Sequence, residues 1–211
     1  VTSPGRSTFR NCTSLQSAII GDGATYIGQY TFSGCTALES VILGSSVNSV
    51  GDYCFQGCTS LSDVSFNEGM TSIGQYCFQG CTALEHVDLP STLVEMKGYC
   101  FSGSGLTEIV IPDSCNEVWR YSFRDCASLV SVDYPADITY IGIGCFQGCT
   151  SLESFVFGGS ETEIRDNAFN GCTALSDCWL PESLETIGNN SFKNFQSLPD
   201  ATFYENVTSI G

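Results

Sequence analysis

The sequence predicts an α/β solenoid, a right-handed superhelix of nine coils of about 23 residues, with a parallel sheet on one face and short helical turns on the other. Three observations predict it. Nine phenylalanines (Phe9, Phe32, Phe55, Phe78, Phe101, Phe123, Phe146, Phe169 and Phe192) recur every 23 residues, apart from one step of 22 between Phe101 and Phe123. Six residues after them come Leu15, Leu38, Leu61, Leu84, Leu129, Leu152, Leu175 and Leu198, with Leu106 one residue early in the short fifth repeat. Two residues after them stand only Gly, Asn or Asp: Asn11, Gly34, Gly57, Gly80, Gly103, Asp125, Gly148, Gly171 and Asn194. A fixed period of this length marks stacked units, none of which can bury its apolar face alone.

Each coil then reads in order. The Phe sits on a one-turn helix that ends in a left-handed cap at the Gly, Asn or Asp position, since these residues tolerate positive φ. Beyond the Leu, pairs such as Val41 with Leu43, Val64 with Phe66, Val87 with Leu89 and Ile109 with Ile111 are spaced one apart. That spacing places both side chains on the buried face of a strand. The return carries one more apolar column, Ile27, Val50, Ile73, Met96, Val118, Ile141, Ile164, Ile187 and Ile210. The unbroken period argues for a single domain over residues 1–211.

Cys81 through Pro90 with Ile73 through Phe78, and Cys172 through Pro181 with Ile187 through Phe192, read Cys-x-x-Leu-x-x-Val/Cys-x-Leu-Pro and Ile-Gly-x-x-x-Phe. This pattern resembles the BspA-like (Treponema pallidum type) leucine-rich repeat, over essentially the whole chain. The resemblance implies a leucine-rich-repeat fold in a secreted or cell-surface protein acting in adhesion and protein binding, hence an extracellular or surface location. It is specific for the family and silent on the ligand.

Net charge is −16 with only seven Lys and Arg, which excludes nucleic acid because phosphate binding needs a basic footprint. No apolar run approaches the length of a membrane span, so no membrane insertion is expected. Thirteen cysteines fall in register. Cys12, Cys35, Cys58, Cys81, Cys126, Cys149 and Cys172 follow the Phe by three, and Cys54, Cys77, Cys100 and Cys145 precede it. Cys115 and Cys178 take columns otherwise filled by Val, Leu or Ile. All thirteen are therefore expected in the core as buried, mostly reduced thiols. Ser104 and Phe195 stand in the main Cys column, a replacement that obligatory disulfides would not tolerate. Cys54/Cys58, Cys77/Cys81 and Cys145/Cys149 lack the usual zinc spacing, and the single His86 is no convincing fourth ligand, so neither metal nor cofactor is expected. There is no phosphate loop or His-Glu-x-x-His, and His86 has no triad around it, so no enzyme activity and no catalytic residue is expected.

Two surface columns are the candidate binding residues. The outward strand face carries Asp63, Glu85, His86, Asp88, Glu108, Val110, Asp133, Val156, Asp177 and Trp179, with Asp200 and Thr202 in the last coil. An aromatic among carboxylates suits a hot spot, and strand propensity explains Ile and Val there but not Trp179. Tyr30, Tyr53, Tyr76, Tyr99 and Tyr121 stand two before the Phe in five consecutive coils, an aromatic ribbon expected on the helical side and suited to interfaces or sugar stacking. The expected partner is a protein or glycan ligand. The alternative is a structural solenoid that self-associates, head to tail or laterally, into filaments or a surface layer. Sequons at Asn11, Asn189 and Asn206 carry little weight in a chain this rich in Ser and Thr.

Val1 to Gly5 lines up with Val207 to Gly211, so a segment of a longer array is expected. Lys97, Trp119 and Arg165 replace the usual Gly after the Ile column, and the short repeat lies among them. A local change of curvature is expected near residues 97–120.

Overall fold

The computed structural model describes residues 3–195 and 205–211, and at Asp177 the main chain only. Leu198, Asp200 and Thr202 lie outside the described residues. The chain winds as a solenoid of about eight turns rather than nine, because nine Phe markers enclose eight full repeats.

The described turns build two parallel sheets, where the sequence indicated one, and one turn lacks its first-sheet strand. The first sheet takes β1 (Ser17–Ile19), β3 (Ser40–Ile42), β5 (Asp63–Ser65), β8 (Glu108–Val110), β10 (Ser131–Asp133), β12 (Ser154–Val156) and β14 (Asp177–Cys178). The second takes β2 (Tyr26–Ile27), β4 (Ser49–Val50), β6 (Ser72–Ile73), β7 (Glu95–Met96), β9 (Glu117–Val118), β11 (Tyr140–Ile141), β13 (Glu163–Ile164), β15 (Thr186–Ile187) and β16 (Ser209–Ile210). These second-sheet strands have two residues each, too few for alternation to register in sequence. Ladder partners are one repeat apart, as in Val41↔Val64 and Val50↔Ile73, and Met96↔Val118 absorbs the deleted residue.

The third side of each turn is not helical. Among the described residues there is no helix, and the reason lies in the backbone. The cap column has positive φ throughout, from Asn11 at 60° to Gly171 at 83°, as expected. The column two before the Phe has it as well: Ser7, all five tyrosines, Gly144, Asn167 and Asn190 lie between 55° and 61°. Left-handed residues on both sides leave three residues between them, and an i→i−4 bond cannot form across so short a span. The turn closes instead with i→i+3 bonds such as Cys58 N–H to the Phe55 carbonyl at 3.1 Å. Alternate amides reach the next coil, as Phe55 N–H does to Cys77 O at 2.9 Å and Gly57 N–H to Gln79 O at 2.8 Å. The turns thus form a third ladder.

The core is one column of stacked side chains. Seven of the nine phenylalanines, Phe32 through Phe169, are fully buried, and neighbouring rings along the whole series lie 5.2–5.8 Å apart. Apart from Cys178 the cysteines are free thiols, and eleven of them are buried. Six of the main column donate S–H to the Phe carbonyl of the preceding coil, from Cys35 to Phe9 O at 3.0 Å through Cys172 to Phe146 O at 3.1 Å. This gives Cys in that column a reason beyond size, since a methyl could not satisfy the carbonyl. Cys12 departs from the core expectation and is exposed, because only one side of its turn is packed; Cys178 is half-buried.

Both sheets are cut once. The first runs β1-β3-β5, stops, and resumes as β8-β10-β12-β14; the second runs β2-β4-β6-β7-β9 and resumes as β11-β13-β15-β16. The expected strand at Val87 and Leu89 does not form. No main-chain amide from His86 to Leu89 donates a hydrogen bond among those described. The short repeat follows directly. Its missing residue shifts one coil relative to the next, and the ladder opens there while the Phe stack, at 5.8 Å between Phe101 and Phe123, stays closed.

Candidate functional site

On the first sheet, residues flanking each buried strand position project outward. Ile19, Val110, Val156 and Trp179 are 76%, 63%, 72% and 79% exposed. Asp63, Glu85, His86, Asp88, Glu108 and Asp133 are exposed with them. The Asp177 side chain lies outside the described residues. The ladder fixes their spacing, with Val110 opposite Asp133 and Asp133 opposite Val156. Trp179 lies one residue past β14. The break divides the set. Asp63 belongs to the first half-sheet, and Asp133, Val156 and Trp179 to the second. His86, Asp88, Glu108 and Val110 line a groove of about 300 Å³ at the break itself. There His86 Nδ1 lies 3.5 Å from Glu108 Oε1, and both side chains are well exposed. His86 therefore faces solvent as expected, but from an unpaired segment rather than a strand.

The tyrosine ribbon exists, in altered form. Tyr30, Tyr53, Tyr76, Tyr99 and Tyr121 stack with ring centroids 4.6, 4.8, 4.6 and 4.7 Å apart. Because the rings stack on one another, their faces are taken and the ribbon offers edges and a row of hydroxyls. Sugar stacking on a ring face, expected from sequence, has no free face here. Arg10 and Arg6 cover the Tyr30 end at 5.0 and 5.6 Å, and Arg124 sits 5.7 Å from the Tyr121 ring. A left-handed backbone costs a non-glycine residue about 1–2 kcal/mol, and an aromatic pair returns about 0.5–1.5 kcal/mol. Stacking therefore offsets the strain of each tyrosine. The ribbon stops at Gly144, where a Cβ would run into the Tyr121 ring.

A third region was not singled out as a site by the sequence. In regular coils the Gly after the Ile column lies on the main chain of the coil before: a Cβ on Gly51 would come within 2.9 Å of Gln29 N. Lys97, Trp119 and Arg165 occupy that column on either side of the cut in the second sheet, which falls between the coils of Trp119 and Gly142. Grooves of about 320, 410 and 540 Å³ run along it, the first two sharing Trp119 and Arg120, the last two Ile143 and Arg165. The Trp119 indole N–H donates to Glu117 at 2.9 Å, Arg165 pairs with Glu163 at 2.9 Å, and the Arg165 guanidinium lies 4.0 Å over the Tyr140 ring. The signal was present in the broken glycine column, which the sequence tied only to curvature.

The buried thiols are chemically quiet. Burial pushes the Cys58 and Cys172 thiols up to about 12 and Cys115 up to about 11. Cys126 rises to about 11 from burial, partly offset by the Ser104 hydroxyl. A thiol held so far from ionising is a poor nucleophile and a poor metal ligand. Glu161, fully buried, spends its two oxygens on the amides of Gly158 and Gly159 at 2.8 and 2.9 Å and so ties down a loop.

Residues 2–130 and 116–211 match the family described as BspA type leucine rich repeat region, in six copies. Among solved structures, a leucine-rich repeat protein from Bacteroides ovatus superposes with a TM-score of 0.89 at 25% identity, over 93% of this chain and 53% of that one. The leucine-rich repeat protein of T. pallidum gives 0.72 at 28% identity, over 76% of this chain and 78% of that one. The pneumococcal vaccine antigen PcpA shares the fold at 0.56 and 16% identity, over 96% of this chain and 64% of that one. The chain spans about half the length of the Bacteroides protein. No curated protein matches.

Proposed function

The chain belongs to the BspA-type leucine-rich repeat family, and on that premise we propose that it is a non-enzymatic binding module of a secreted or cell-surface protein, which holds a protein partner on its first sheet. One observation carries the reading. The outward face of that sheet bears Asp63, Glu85, Asp88, Glu108 and Asp133 among exposed Ile19, Ile42, Val110, Val156 and Trp179, and none of the chain's seven Lys and Arg. Acidic groups around exposed apolar anchors suit a partner with a basic rim, with the anchors supplying affinity and the charges supplying steering. Surface location rests on the habits of the family, and absence of catalysis on a fold that typically serves binding. Immobilised chain is to be titrated with purified basic and acidic extracellular proteins at low and high salt. A basic partner is expected, held more weakly at high salt, with a loss of at least tenfold in Trp179→Ala. Undiminished binding by Trp179→Ala and by Val156→Ser would sink the assignment to this face.

A further inference from the structure

We propose that the groove beside Trp119 is a second binding site, on the second sheet, for a neutral linear oligosaccharide. Four observations on one stretch of surface carry it.

The groove exists because the ladder fails. Second-sheet amides bond regularly to the coil before, as in Gly74 to Val50 O at 2.9 Å, Lys97 to Ile73 O at 3.0 Å and Trp119 to Met96 O at 3.1 Å. The series resumes with Arg165 to Ile141 O at 3.0 Å, but the amides of Thr139 and Gly142 donate no hydrogen bond among those described. A Cβ on Gly142 would be 3.2 Å from Val118 O, looser than the 2.6 Å at Gly28 or 2.9 Å at Gly51. The coils have parted at this junction. They have not parted enough to take another strand, which would need a spacing of about 4.7 Å on each side. An inserted peptide strand is therefore ruled out, and the ligand must lie in the groove along the outside.

The lining supplies a fixed aromatic face. Trp119 is 46% exposed, and its bond to Glu117 anchors the indole by its N–H edge. One face of a sugar ring is a plate of C–H groups with slight positive charge, a match for the negative face of an indole. Tyr140 is different, since Arg165 already covers it at 4.0 Å.

Charge selects for neutrality. Lys97, Arg120 and Arg165 interleave with Glu95, Glu117, Glu163 and Asp166, three against four, and the Asn189 main-chain amide already donates to Asp166 at 2.7 Å. Lys97 lies 4.0 Å from Glu95 and Arg165 pairs with Glu163, while Arg120 is exposed and makes no ion pair among the described residues. Interleaved guanidinium donors and carboxylate acceptors suit hydroxyls, which both give and accept hydrogen bonds. Surfaces for anions or cations would show one sign.

The shape selects for a chain. The three adjoining grooves share residues end to end, and Gln75 and Asn189 at their far ends add amides. A linear polymer can lie along them parallel to the solenoid axis.

Affinity electrophoresis tests this, with the chain run through gels containing a soluble β-glucan, α-glucan, mannan or xylan, and through gels containing alginate or gelatin. Retardation by at least one neutral polysaccharide is expected. Trp119→Ala and Arg120→Gln should each weaken it at least tenfold. Arg120 is exposed and unpaired, so its substitution leaves the fold intact and keeps the test valid should Trp119→Ala fold poorly. Unchanged migration in every neutral gel, retardation that Arg120→Gln retains in full, or retardation by alginate or gelatin alone would each overturn the proposal.

Discussion

The turn side of the solenoid and its two sheets answer the same stress differently. Along the turns the Phe rings stack without a break from Phe9 to Phe192, and cysteine S–H groups bond from coil to coil except where Ser104 replaces Cys. Each sheet, by contrast, is cut once near the short repeat. Two-residue and three-residue strands place few bonds in each coil junction, whereas the turn column combines a full aromatic, a thiol and three main-chain bonds to the next coil, as from the amides of Tyr53, Phe55 and Gly57. Continuity resides in the turns, which frees the sheets to open grooves and carry sites.

The largest expected effect comes from the thiol column. Burial raises the thiols above their ordinary value near 9, to about 12 for Cys58 and Cys172 and about 11 for Cys115 and Cys126. Folded pKa above unfolded means that the stabilisation is complete below pH 9 and is lost as pH rises toward 11–12, where the unfolded chain has released protons that the folded chain keeps. Between pH 9 and 10 each such thiol should forfeit about 1 kcal/mol, and several acting together should lower the urea midpoint sharply in reducing buffer. A midpoint flat to pH 10.5 would place the thiols in contact with water.

Phe78→Ala, in the middle of the uninterrupted stack, should destabilise by about 3–5 kcal/mol in urea titrations. Val87→Ala, half-buried on the segment where the strand is missing, should cost about 1 kcal/mol or less. Equal costs would erase the distinction between turns and sheets.

A finer test concerns Tyr76, at φ 55° with stacked rings on both sides. Tyr76→Ala loses the stacking and keeps the strain, and should destabilise by about 1–2 kcal/mol. Tyr76→Asn loses the same contacts but suits the left-handed region, as Asn167 and Asn190 do, and should come within about 1 kcal/mol of wild type. The smallest effect is expected from Trp119→Gly, which removes an exposed side chain and should change stability by about 0.5 kcal/mol or less in urea titrations. A larger loss would mean that the indole braces the coil junction.

Much of this architecture was legible because it repeats. Phe, Leu and the Gly/Asn/Asp cap each keep one environment through the stack, so period alone placed them, and register alone moved the cysteines from bridges into the core. The errors have local causes. The helix was inferred from one left-handed column when there are two; the second was masked by tyrosine, although Gly144, Asn167 and Asn190 in the same column carried the signal. The second sheet was invisible because two residues cannot alternate. Of the candidate surface, the first-sheet residues that the structure describes are exposed as read, but their division at His86 could not be seen, since a missing ladder is a relation between coils.

The sequence by itself determined the family, the solenoid, the buried Phe and Leu columns and the acidic outward face. These follow from side-chain chemistry repeated at fixed intervals, and repetition averages out local ambiguity. Only the tertiary structure decided that the tyrosine rings present edges rather than faces, that the thiols bond to neighbouring carbonyls, and that each sheet opens into a groove. Those are distances between coils, set by how 22 residues must stack between neighbours of 23, and no single coil contains them.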